Sequence, residues 1–265
     1  MTSPSIEKVI SRYSRVALEA NPPVARIRLN HPPLNIVDIP MMEELSGALL
    51  DLEKRPAIST IVFAGAGEHF SAGVDVAAHA PDKVEEMLGK FHAVIRTVIN
   101  TTKVTIAAVR GHCLGGGAEL AMVCDLVYTS EEAQWGFPEI KLGCYPPVAV
   151  TALAALVGQK HAADLILTGR TISGEEAAAI GLANRAVKEQ DLPGVVDESI
   201  KRLSQLSSAA LATAKKAFYA WDSMHFDKGL GQAEKIYLEE LMKTEDAREG
   251  IAAFLARRQP KWRGR

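Results

Sequence analysis

A short segment near the middle of the chain leaves few folds open. Val104-Thr-Ile-Ala-Ala-Val109 is almost wholly apolar and runs straight into Arg110-Gly-His-Cys-Leu-Gly-Gly-Gly117. After the glycines, Ala118 to Cys124 reads as a helix. A short apolar run closed by glycine fits a strand buried on both faces, as found inside layered α/β and α+β folds. Glycines there allow positive φ and let another group approach the main chain closely. A helix beginning at that point adds partial positive charge from its free N–H groups. Glu119 stands directly behind the glycines and ahead of Leu120-Ala-Met-Val123, a run that reads as buried. A carboxylate in such a place is costly unless it is paired or put to chemical use.

The flanking sequence repeats the same alternation. Val24 to Leu29 reads as a strand that ends at Asn30-His-Pro-Pro33, where two prolines forbid continuation. Met41 to Leu52 has helical spacing, and Thr60 to Ala64 is a short buried strand closed by Gly65-Ala-Gly67. From Lys83 to Ile99, the residues Val84, Met87, Leu88, Phe91, Val94, Ile95 and Val98 mark one helical face. Leu126 to Thr129 returns to strand. The pattern predicts strand–strand–helix units coiling around a core, in the α/β (α+β) class. From about Thr151 onward the chain reads almost wholly helical, with breaks at Gly158, Gly169, Gly181 and Pro193. Ser173 with Glu176 makes a capping-box pattern, and Gln232 to Arg258 is amphipathic.

Several function classes fall away. A formal net charge of −2 gives no whole-chain attraction for nucleic acid. Val148 to Val157 is interrupted by Thr151 and is too short to span a bilayer, so no membrane role is expected. The first ten residues lack the pattern of a secretory signal. Cys113, Cys124 and Cys144 form no CxxC pair and leave one over, which points to the reducing cytoplasm. No HExxH occurs, and His112 beside Cys113 lacks partners at ligand spacing, so no metal is expected. No Gly-Lys-Ser/Thr follows the glycine run, and Gly65-Ala-Gly67 lacks the third glycine of a dinucleotide fingerprint.

Three local features carry the chemistry: Phe70-Ser-Ala-Gly-Val-Asp75, Gly115-Gly-Gly-Ala-Glu119 and Gly136-Phe-Pro-Glu-Ile140. Their order and spacing resemble the enoyl-CoA hydratase/isomerase (crotonase) superfamily. So do Ile106-Ala-Ala-Val-Arg-Gly111 and the ending Glu245-Asp-Ala-Arg-Glu-Gly-Ile-Ala-Ala-Phe-Leu-Ala-Arg-Arg-Gln-Pro260. The resemblance runs from about Ala25 to Arg265. It implies a ββα spiral core over residues 1–200 and a helical C-terminal region over 201–265, assembled as a homotrimer or dimer of trimers. It implies an acyl-CoA thioester as substrate, with no separate cofactor. The N–H groups of Ala72 and Gly116 are expected to form an oxyanion hole, with Glu119 and Glu139 exchanging the protons of water. CoA is expected along Ala72, Gly73, Val74 and Asp75, near Pro33 and Leu34, and against Gly116. The lysine that many relatives carry after the Asp75 position is absent, so Arg257, Arg258 or Lys261, of this chain or of a neighbouring subunit, is expected at the phosphates.

The logic of such a site stands without the resemblance. Adding water beside a thioester drives negative charge onto its carbonyl oxygen, and donors already aimed there need not reorganise. Isomerases of the superfamily often keep one acid; retention of both glutamates favours hydration. Cys144-Tyr-Pro-Pro-Val148 replaces the glycine-rich loop common in straight-chain hydratases, which stiffens the expected acyl pocket. Trp135 and Phe137 are expected to add flat apolar surface near Glu139. With Leu34-Asn-Ile-Val-Asp38 and Tyr237-Leu-Glu-Glu-Leu-Met242, these departures resemble the hydratases of cyclic dienoyl-CoA thioesters. The alternatives are a short-chain enoyl-CoA hydratase, an enoyl-CoA isomerase and, more remotely, a non-catalytic CoA- or RNA-binding scaffold.

Overall fold

The computed structural model describes residues 13–220 and 223–265, so the N-terminal stretch read for a leader lies outside the described residues. The chain enters through β1 (Val16–Asn21), which pairs antiparallel with β2 (Val24–Leu29). Both strands alternate buried and wet positions, as an edge with one covered face should. Helix α1 (Ile39–Glu53) starts at Asp38, whose carboxylate accepts from Met41 N at 2.9 Å. Strand β3 (Thr60–Gly65) leads through the Phe70–Asp75 turn to α2 (Val84–Asn100). Then come β4 (Val104–Val109), β5 (His112–Leu114), α3 (Gly116–Met122), β6 (Leu126–Ser130) and β7 (Gln134–Gly136).

Strands β3 and β4 are buried at five of six positions, which is why their sequences read as unbroken apolar runs. The helical half begins with α4 (Pro147–Val157) and α5 (Gln159–Thr168). It is less purely helical than its composition predicts. β8 (Thr171–Ser173), α6 (Gly174–Ala179) and β9 (Arg185–Val187) follow before α7 (Leu192–Ser204), α8 (Ser208–Ala220), α9 (Ser223–Glu239) and α10 (Glu245–Leu255). Ser173 caps α6, accepting from Glu176 N at 3.1 Å. The amphipathic Gln232–Arg258 segment is two helices, parted by a 3-10 turn at Leu241–Lys243.

The strands form one six-stranded sheet, ordered β1-β2-β3-β4-β6-β9 and parallel from β2 onward, and one three-stranded sheet, ordered β5-β7-β8. Single parallel bridges, Val37 with Val74 and Ser71 with Cys113, extend the second layer. Each pass of the chain thus lays a strand in the large sheet, touches the second layer, and returns through a helix: a ββα spiral. Helix α9 packs on α4 and α10 on the turn that follows β7. This docking brings the last two helices over the second layer, where the three motifs lie.

Candidate active site

The second layer sets the direction of the main chain at the Phe70–Asp75 turn. Val37 N donates to Gly73 O at 2.9 Å, and Asp75 N donates to Val37 O at 3.2 Å. A parallel bridge made through those two residues turns the N–H of Val74 to the opposite side, and no described residue accepts from it. Facing it is Gly116, the first residue of α3, whose N–H is one of the orphan donors of a helix start. The approach is close. A Cβ on Gly116 would lie 2.5 Å from Val74 Cγ2 and 3.1 Å from Phe91 Cζ. Val74 and Gly116 therefore offer two adjacent free N–H groups at the wall of a cavity of about 350 Å³.

This corrects the expectation for Ala72. Its N–H is consumed by Leu34 O at 2.9 Å, which ties the Pro33–Leu34 loop to the turn. Ala72 and Gly73 still line the cavity, but as surface. Gly73 N donates to Ser71 Oγ at 3.1 Å, so Val74 holds the one free donor of Ala72, Gly73 and Val74. Asp75 caps the short 3-10 turn at Val76–His79 through Ala77 N, and neither it nor the exposed Pro33 and Leu34 forms cavity wall.

Glu119 projects from the first turn of α3 and is 3% exposed. Its Oε1 accepts from Val148 N at 2.9 Å and Ala149 N at 3.0 Å, two donors at the start of α4. Pro147 opens that helix and has no N–H, so the next two donors point at the carboxylate. Glu139 sits on the 3-10 turn Pro138–Leu142. Its Oε1 lies 2.5 Å from where a Cβ on Gly115 would stand, and its buried Oε2 has no partner. Gly115 itself has φ of +52°, so glycine is needed there for both reasons.

Burial raises both carboxyl groups above the ordinary value of 4.5. Glu119 rises to about 7, partly offset by the Ala149 and Val148 N–H bonds. Glu139 rises to about 8, from burial first and the negative charge of Glu119 second. The two titrate as a pair and share protons near neutrality, so an acid and a base stand side by side.

Apolar walls come from Met87, Leu88 and Phe91 of α2, and a stiff rim from Tyr145, Pro146 and Pro147. Arg258 lines the mouth, held by Glu249 at 2.5 Å, whereas Arg257 and Lys261 form no part of the wall. Trp135 and Phe137 depart from expectation. Both are fully buried in the core behind the cavity, Trp135 with its Nε1 on Thr129 Oγ1 at 3.0 Å. They belong to the strand and turn that carry Glu139, but the pleat turns them inward. No group of three or more His, Cys, Asp or Glu among the described residues is placed to hold a metal. His92 and Tyr237, which also line the cavity, were not anticipated from the sequence.

Two free main-chain donors beside a pair of carboxyl groups raised toward neutrality, in a half-open and mostly apolar cavity, are the parts of an enzyme that stabilises an enolate. The comparisons with known proteins agree. Residues 19–265 match the enoyl-CoA hydratase/isomerase family, to which the chain belongs. It is 36% identical to cyclohexa-1,5-dienecarbonyl-CoA hydratase of Thauera aromatica, covering 95% of this chain and 97% of that one. It is 32% identical to carnitinyl-CoA dehydratase of Salmonella paratyphi A, covering 94% and 98%. Among solved structures, an enoyl-CoA hydratase from Mycobacterium avium subsp. paratuberculosis K-10 superposes with a TM-score of 0.86 at 25% identity, covering 95% of this chain and 99% of that one. An enoyl-CoA hydratase/isomerase from Xanthobacter autotrophicus Py2 gives 0.83 at 31% identity, covering 92% and 97%. The protein is a hydro-lyase of this family.

Proposed function

We propose that the protein adds water to cyclohexa-1,5-diene-1-carbonyl-CoA and forms 6-hydroxycyclohex-1-ene-1-carbonyl-CoA. The observation that carries this reading is the glutamate pair, Glu119 buried and Glu139 half-buried, set beside the free N–H groups of Val74 and Gly116. In the proposed reaction the thioester oxygen accepts from both N–H groups. One carboxylate takes a proton from water as the oxygen bonds to the ring carbon β to the thioester. The electron pair of that C=C bond moves toward the carbonyl, and the charge spreads as a dienolate over the thioester oxygen and the far end of the diene. The partner carboxylic acid then gives its proton to that far carbon, leaving one C=C bond conjugated with the thioester. Water is thus divided between the two ends of a flat diene, which favours a pocket that holds the ring in one orientation.

Two observations support a ring over a flexible chain: the cavity wall carries the stiff Tyr145-Pro146-Pro147 segment, and the Thauera relative is named for the ring substrate. CoA would lie along the Ala72–Val74 turn, with Arg258 at the mouth available to its phosphates. We propose a homotrimer or dimer of trimers for the assembly; exposed Phe218 on α8 and Phe254 on α10 support it. The second reading, a short linear enoyl-CoA substrate, is favoured by the probable enoyl-CoA hydratase of Mycobacterium bovis, 34% identical over 253 residues. Turnover of the cyclic dienoyl-CoA and of crotonyl-CoA in ¹⁸O-labelled water decides between them. The ring reading expects kcat/KM to favour the cyclic substrate by at least about 10²-fold, with label in the product hydroxyl. Preference for crotonyl-CoA rejects the ring, and a product without label rejects hydration.

A further inference from the structure

Two polar groups in the cavity wall have no part in the reaction just described. His92 of α2 is fully buried and lines the cavity. Its Nδ1 lies 2.5 Å from Glu234 Oε1, and its Nε2 is buried without a hydrogen-bond partner. Glu234 belongs to α9 and stands outside the cavity wall, with Arg96 Nη2 at 3.5 Å. The Nδ1 edge of the ring is turned to α9, which leaves the opposite, Nε2 edge as the unpartnered polar edge of a side chain that lines the cavity. Less than one helical turn beyond Glu234, Tyr237 lines the same cavity and is 1% exposed. Its hydroxyl makes no hydrogen bond of good geometry, and its polar neighbours are the Cys144 thiol, a weak partner, with Glu139 and Tyr145. The Tyr237 ring is fixed edge-on by Tyr145 at 5.2 Å between centroids, and Tyr145 in turn donates to Ala233 O at 2.7 Å.

A wall built only to enclose a hydrocarbon ring would carry phenylalanine or leucine at these places. Instead two buried polar atoms are left unpaired, the His92 ring held by Glu234 of α9 and the Tyr237 ring by Tyr145. Unpaired buried polar atoms in a ligand cavity discriminate against ligands that cannot satisfy them.

We propose that His92 Nε2 and the Tyr237 hydroxyl form an oxygen-binding subsite, so that the protein takes alicyclic acyl-CoA thioesters carrying a hydroxyl on a ring carbon beyond the reacting ones. This deepens the ring reading of the substrate and rests on it. With Nδ1–H donating to the Glu234 carboxylate, the neutral imidazole accepts at Nε2, so one ligand hydroxyl can donate to His92 and accept from Tyr237 together. Glu234 is the positioning residue that holds the imidazole.

Saturated thioesters separate this subsite from the hydration chemistry, because they bind without reacting. The experiment is calorimetric binding of cyclohexanecarbonyl-CoA and of 4-hydroxycyclohexanecarbonyl-CoA, cis and trans, to the intact protein. The wild type should bind one hydroxylated isomer at least about tenfold more tightly than the parent ring. His92→Phe and Tyr237→Phe should each bring that ratio close to one, and Glu234→Gln should reduce it while keeping the fold. If either aromatic variant fails to fold, Glu234→Gln decides. Equal binding of the three thioesters by the wild type, or an unchanged ratio in the variants, overturns the subsite. The hydration reading is untouched by that outcome, since it stands on the turnover of the unsubstituted diene.

Discussion

Replacing Glu139 by Gln should lower kcat by about 10²–10⁴-fold, and Glu119→Gln should do the same. Affinity for a saturated acyl-CoA should stay within a few-fold, because neither carboxylate is needed to hold the thioester. Each substitution removes a proton carrier but keeps the shape of the side chain, so the loss belongs to the chemical step. A parallel loss of affinity would point to a collapsed cavity instead. Stability should move the opposite way. With folded values near 7 and 8 against an ordinary 4.5, the native protein binds more protons than the unfolded chain between those limits. The wild type therefore loses stability as pH rises from about 4.5 to about 8, and the loss is complete above that window. The glutamine variants lack part of this cost, and melting curves at pH 9 should show them unfolding a few degrees higher than the wild type. At pH 4 the difference should vanish.

Gly116→Ala should be nearly as damaging to turnover, for a different reason. The added methyl would stand 2.5 Å from Val74 Cγ2 and 3.1 Å from Phe91 Cζ, so the packing between the two segments must shift. A shift carried into the main chain spreads the two N–H groups that converge on the thioester oxygen. Loss of one such donor costs about 10²–10³-fold in kcat, and the glutamates cannot compensate, because the enolate charge is left without its partner. Gly89→Ala is the matched control. It lies within α2, a Cβ there meets nothing within 4 Å, and the exchange should stabilise the helix by about 0.5–1 kcal/mol with turnover kept. If both variants are equally active, the close packing of Gly116 on Val74 has no bearing on catalysis.

The elements that the sequence made legible are those whose burial is uniform. β3, β4 and α2 were read within a residue or two, because strands covered on both faces and a one-sided helix leave unmistakable periods. β8 and β9 are three residues each and lie among helices, so neither period has room to show. Within the site, Glu119 stood out because a carboxylate directly behind glycines and ahead of an apolar run has few structural uses, whereas Gly116 and Glu139 came from the family resemblance. Assigning the second donor to Ala72 went astray by two residues. Which N–H of that turn stays free depends on the bridge to Val37, a contact far away in sequence. Trp135 and Phe137 were misplaced because a composition-based reading cannot tell which side of β7 and its turn faces the cavity. His92 did leave a trace: it falls on the buried stripe of α2 with Leu88 and Ile95, where a histidine needs a partner.

The proposed reaction depends on where the thioester oxygen comes to rest. A crystal structure of the protein with cyclohexanecarbonyl-CoA measures it directly. The carbonyl oxygen should lie about 2.7–3.1 Å from both the Val74 and the Gly116 nitrogen, with the ring against Glu119 and Glu139. An oxygen bonded elsewhere, or a ring turned away from the two carboxyl groups, contradicts the account.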